Sequence, residues 1–145
     1  MIPPFNEEGN LPPGIHQVNW EEFVIGFGTT SHRLQLMDGL KAALDCFKRA
    51  GCKRVYINGS FVTKKQIPND IDVAWEPFGV DLHLLRVIEP IFFDFNNFRE
   101  AQKEKFGCEF FPASINANRA GDTFLHFFQI DKNTGNQKGI IVIDL

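Results

Sequence analysis

The pair Gly59-Ser60 is separated by nine residues, 61–69, from Asp70-Ile71-Asp72, and these side chains carry most of the chemistry that the sequence offers. Gly59 has no side chain, so a ligand can approach its backbone closely. Ser60, at the start of a helical turn, would present free backbone N–H groups and a hydroxyl to a phosphate. Asp70 and Asp72 lie two apart on a strand, so both carboxylates emerge from one face. Such neighbours repel each other unless a cation lies between them. Mg²⁺ suits the pair, because it takes one or two carboxylates and completes its shell with phosphate oxygens and water. Together these groups describe a site for phosphoryl or nucleotidyl transfer. Taken singly, Asp-x-Asp on a strand end and Gly-Ser in a turn are common without any such role.

Positioning these groups requires a strand on either side of the Gly-Ser turn. Lys53 to Asn58 reads as the first, with Val55 and Ile57 on one face. Asp70 to Trp75 reads as the second, with Ile71 and Val73 pointing away from the two acids. A long helix precedes them: Ser31 can cap it, Leu36, Met37, Leu40, Ala43, Leu44 and Phe47 recur at helical spacing, and Gly51 stops it. Asn19-Trp20-Glu21-Glu22 opens a shorter helix closed by Gly26 and Gly28. Asp81 to Glu89 predicts a helix ended or bent by Pro90, Asn97 to Phe106 another stopped by Gly107, and Cys108 to Phe111 a strand ended by Pro112. Residues 1–18, rich in proline, read as an extended arm. The tail reads as a hairpin, Phe124 to Ile130 and Gly139 to Ile143 about the turn-rich Asp131 to Asn136. A helix over Thr123 to Gln129 is the alternative, since Phe124, Phe127 and Phe128 also fit that period. The order predicts an α/β (α+β) fold, a mixed sheet with flanking helices. A single domain over 1–145 is expected, with residues 1–29 as arm and short helix.

Composition narrows the function classes. The net charge is −3 and the basic residues come in small pairs, Lys48-Arg49, Lys53-Arg54 and Lys64-Lys65, which excludes a basic stripe for extended duplex nucleic acid. A short RNA end or a single nucleotide stays compatible. Sixteen phenylalanines against one tyrosine predict a Phe-rich core, or a partner surface. Cys46, Cys52 and Cys108, an odd number without C-x-x-C spacing, read as reduced thiols rather than a disulfide framework or zinc knuckle. The first residues lack the basic start and apolar run of a signal peptide, and no segment has the length to span a bilayer. A cytoplasmic protein with no membrane contact is the expectation. The scattered His16, His32, His83 and His126 read as structural.

Gly59-Ser60, the spacer, and Asp70-Ile71-Asp72-Val73 with its apolar flanks resemble the signature of the nucleotidyltransferase superfamily, the DNA polymerase β-like fold. The similarity is nearest to the minimal nucleotidyltransferases of bacteria and archaea, many of which belong to toxin–antitoxin or phage-defence gene pairs. Ile2-Pro3-Pro4-Phe5-Asn6 and Leu11-Pro12-Pro13-Gly14-Ile15-His16 resemble a small uncharacterised bacterial branch of that superfamily. The motif covers residues 55–75, and the order of elements extends the resemblance over roughly 30–112.

The resemblance implies that Gly59 and Ser60 bind the terminal phosphates of an NTP, ATP or another, and that Asp70 and Asp72 bind Mg²⁺ or Mn²⁺. It also implies a third acid on a later strand, which completes the metal site and helps activate the attacking hydroxyl. Glu109, on the strand after Gly107, is the candidate, at a place where family members more often carry Asp; a solvated strand acid is the alternative. Lys64 and Lys65 can meet a triphosphate, with Lys65 as the phosphate-binding candidate, or form solvated surface; Lys138 has the same two readings. The implied activity is transfer of a nucleoside monophosphate to a hydroxyl of a protein or RNA. The competing function is a binding module, antitoxin-like, that keeps the fold and masks a protein partner.

Overall fold

Apolar residues that alternate along a strand fall on one face of the sheet and must find cover there, and the two faces here are covered unequally. The computed structural model describes Met1–Leu145. In chain order the elements are β1 (Ile15–Gln17), α1 (Trp20–Phe27), α2 (Ser31–Arg49), β2 (Arg54–Asn58), a 3₁₀ turn at Gly59–Val62, β3 (Ile71–Trp75), α3 (Leu82–Ile88), a 3₁₀ turn at Pro90–Phe93, α4 (Asn96–Phe106), β4 (Cys108–Pro112), α5 (Phe124–Phe127) and β5 (Ile140–Asp144). The strands form one five-stranded mixed sheet in the order β1-β5-β2-β3-β4. β2 runs antiparallel to both neighbours, β3 and β5, while the β3–β4 and β5–β1 pairs are parallel.

Val55, Ile57, Ile71, Val73, Cys108, Phe110, Ile141 and Ile143 share the larger face and pack under the helices with Leu40, Phe47 and Leu85. Seven of the sixteen phenylalanines are buried here. Phe47 stacks on Phe92 at 4.3 Å between ring centroids, and Phe92 meets Phe110 edge-on at 4.8 Å. The opposite face is covered only in part. Tyr56, Ala74, Ile140 and Val142 lie under Ala113, Leu125 and Phe128, and Phe111 packs against Phe124 and Phe128 beside them.

Local chemistry explains most helix ends. Asn19 caps α1 with a reciprocal box: its side chain accepts from Glu22 N–H, and Glu22 accepts from Asn19 N–H. Gly26 lies inside α1 rather than closing it; Gly28 is the C-cap. Thr30, not Ser31, caps α2, its hydroxyl accepting from Arg33 N–H at 3.1 Å. α4 opens differently from a helix over 97–106. Asn97, Phe98 and Arg99 all have positive φ, a left-handed turn that ordinary residues adopt only at a cost.

Two further sequence expectations are corrected. The extended arm contains a strand, β1, paired with the distant β5. It was illegible because three residues of mixed polarity carry no alternation, and the pairing is non-local. The C-terminal hairpin does not form. Phe124–Phe127 is a single helical turn, only an isolated bridge joins Ile130 to Gln137, and β5 pairs instead with β2 and β1. The phenylalanine spacing of the helical alternative prevailed over the turn signals.

Candidate active site

The partly covered face carries the acids. In register, Asn58 on β2 lies opposite Asp72 on β3, and Asp72 opposite Glu109 on β4. Cross-strand partners point to the same face, so Asn58, Asp72 and Glu109 form a row across three strands. Asp70 immediately precedes β3, where Ile71 N–H donates to Gly107 C=O at 2.9 Å and fixes the strand start. The carboxylates of Asp70, Asp72 and Glu109 converge, offering one oxygen each within 4.8 Å of one another. All three are partly buried.

Their electrostatics follow from this crowding. Burial, then the charges of Asp70 and Glu109, push Asp72 up to about 7 from its ordinary 3.8; Lys138 and Lys132 oppose the rise. Glu109 is also raised, first by burial and then by Asp70, with which it can share a proton. Lys103 and Arg99 on α4 moderate it, Lys103 Nζ lying 3.9 Å from Glu109. The acids therefore have cations on two sides: Arg99 and Lys103 from α4, and Lys132 and Lys138 from the connection into β5.

Two further features fit a bound cation and phosphate. Asn58 is fully buried, and its Oδ1 has no hydrogen-bond partner, although its Nδ2 donates to Tyr56 C=O. A buried oxygen without a donor costs free energy unless something fills the need, and this one stands beside Asp72. Gly59 has φ of +76°, and a methyl group on it would overlap the Asp72 carboxylate. A glycine is thus required for the turn to pass so close to the acid. The donor set, three carboxylates and an amide oxygen, is the hard-oxygen chemistry that Mg²⁺ or Mn²⁺ takes.

Of the candidates, Asp70, Asp72 and Glu109 come together and Gly59 adjoins them. Ser60 is the second residue of the 3₁₀ turn that Gly59 opens, its carbonyl accepting from Thr63 N–H and hydroxyl. Lys65 lines a different hollow, with Phe5, Phe27, Thr29 and Arg33. Beside Arg99, Lys103 and Lys132, the cation that the fold brings to the acids in place of Lys65 is Lys138. It lies in the connection into β5, two residues before Ile140, and its charge acts on Asp72. Asp72 and Asp131 both act on its charge, against a burial that lowers its pKa. Asn58 and Arg99 were not legible as site residues, because only strand register and the left-handed turn bring them there.

No curated protein and no solved structure matches the chain. A family model does, over residues 3–144, and its description is a family of unknown function, DUF6932. The chain is a member of the DUF6932 family.

Proposed function

We propose that the protein transfers a nucleoside monophosphate from an NTP, ATP or another, to a hydroxyl of a protein or RNA, with Mg²⁺ or Mn²⁺ held by Asp70, Asp72 and Glu109. The observation that carries this is the convergence of three carboxylates beside a glycine that must lack a side chain. Bound there, the metal would neutralise phosphate charge and let the carboxylates stay ionised near neutral pH. Gly59 leaves the backbone open to phosphate oxygens, and the Ser60 hydroxyl, which no hydrogen bond of the fold occupies, can donate to one of them. Lys138 offers a charge to the departing pyrophosphate. Glu109, which converges with the two aspartates, would accept the proton of the attacking hydroxyl. That oxygen bonds to the α-phosphorus, the bond from the α-phosphorus to the bridging oxygen of the β-phosphate breaks, and pyrophosphate leaves. A tightly bound protein partner of toxin–antitoxin type is the acceptor we propose.

Incubating the purified protein and its co-purifying partner with NTP and Mg²⁺, followed by intact-mass analysis, tests the proposal. The expected result is a mass gain of one nucleoside monophosphate, abolished by Glu109→Gln, while NTP binding is retained. NTP binding without transfer in the wild type would leave only the antitoxin-like binding module.

A further inference from the structure

Arg33 is 3% exposed and has no carboxylate partner. Burying an isolated charge is expensive, and burial lowers its pKa. Its side-chain hydrogen bonds all go to backbone carbonyls. Nη1 donates to the carbonyls of Phe27 at 3.2 Å and Phe61 at 2.7 Å, and Nη2 to those of Thr63 at 3.0 Å and Lys65 at 2.6 Å. The guanidinium also lies 4.7 Å from the Phe61 ring centroid. Three of the four carbonyls belong to the connection between β2 and β3. That connection has Gly59-Ser60 at one end and Asp70 at the other, and beyond Val62 it has no helix or strand of its own. Only a planar fork with several donors can gather alternate carbonyls in this way; an ammonium cannot.

The two ends of the connection are anchored differently. Asp70 and Asp72 are set by the β3–β4 pairing and by Ile71 N–H on Gly107. The segment after Ser60 is held by the buried side chains of Phe61 and Val62, by Lys64 N–H donating to Gly9 C=O at 3.0 Å, by His32 Nε2–H donating to Pro68 C=O at 2.6 Å, and by Arg33, which alone binds three of its carbonyls. Given the nucleotide-binding role proposed above, we infer that Arg33 is a positioning residue. From α2, on the far side of the loop from the ligand, it fixes the Gly59-Ser60 turn at the distance from the carboxylates that a polyphosphate chain must span. The acids alone suffice for the metal, whereas the polyphosphate needs the turn held in place.

Binding of Mn²⁺ alone and of inorganic tripolyphosphate with Mg²⁺, measured by calorimetry, separates these roles. Arg33→Met should weaken tripolyphosphate binding by at least about tenfold and leave Mn²⁺ affinity within about twofold. Arg33→Lys, which keeps the charge without the fork, should show the same split with smaller amplitude, and it serves if Arg33→Met does not fold. Leu85→Ala, a cavity in α3 away from the site, controls for lost stability and should leave both affinities unchanged. The inference is overturned if the Arg33 variants bind tripolyphosphate as the wild type does. It is equally overturned if both affinities fall together, or if Leu85→Ala loses as much. A wild type that binds neither probe would remove the nucleotide proposal itself, and the role of Arg33 with it.

Discussion

Asp72 illustrates how one side chain can oppose folding while serving a site. Its carboxyl is held at about 7 against an ordinary 3.8, so the folded state binds a proton that the unfolded chain has already lost. The linked stability is therefore unaffected below pH 3.8, declines as pH rises from there to about 7, and stays low above that. The interval corresponds to at most about 4 kcal/mol, and less as solvent and ions reach the site. Asp72→Asn should raise the melting temperature at about pH 8 and change it little at about pH 4, as thermal unfolding would show. Metal binding should run the other way, because Mn²⁺ competes with that proton. The wild type should gain Mn²⁺ affinity between about pH 6 and 8, and the variant should not. Lys138 acts with the opposite sign. Lys138→Met should strengthen Mn²⁺ binding, by removing a like charge, and weaken NTP binding by about tenfold or more.

The elements show which signals a sequence carries. β2, β3 and β4 were legible because alternation puts Val55, Ile57, Ile71 and Val73 on one face and so commits Asp72 to the other. Glu109 joined the site by the same parity, since β4 pairs with β3 in register. In the tail the apolar strand at Gly139 to Ile143 was legible, and it forms as β5, but its partners were not; nor was β1, because a three-residue strand has no period to detect and its partner lies more than a hundred residues away. The sequence favoured Lys65 over Lys138 as the phosphate-binding lysine, and the structure places Lys65 in another hollow, because only the entry of β5 beside β2 carries Lys138 towards the acids. Two substitutions test the local geometry. Gly59→Ala should cost about 1–2 kcal/mol from the left-handed backbone alone, and should also reduce metal affinity, since the new methyl overlaps Asp72. Phe98→Gly should raise stability by about 1 kcal/mol in urea unfolding. Phe98 is 88% exposed and sits at φ of +56°, so glycine relieves strain and loses no packing.

Across the whole molecule, the sheet divides structure from chemistry. One face is sealed by helices and aromatic stacking; Phe47→Ala there should cost about 3–5 kcal/mol. The other face is covered only in part, and the acids occupy the end of the sheet where β2 finishes and β3, β4 and β5 begin. No helix is long and apolar enough to cross a membrane. The central claim, that Asp70, Asp72 and Glu109 jointly hold a divalent metal with a polyphosphate, is tested most directly by anomalous diffraction from crystals grown with Mn²⁺ and a non-hydrolysable NTP. The account predicts a manganese peak coordinated by carboxylate oxygens of these three residues, with phosphate oxygens completing the shell beside Gly59 and Ser60. A nucleotide bound elsewhere, or manganese that none of the three carboxylates touches, would contradict it.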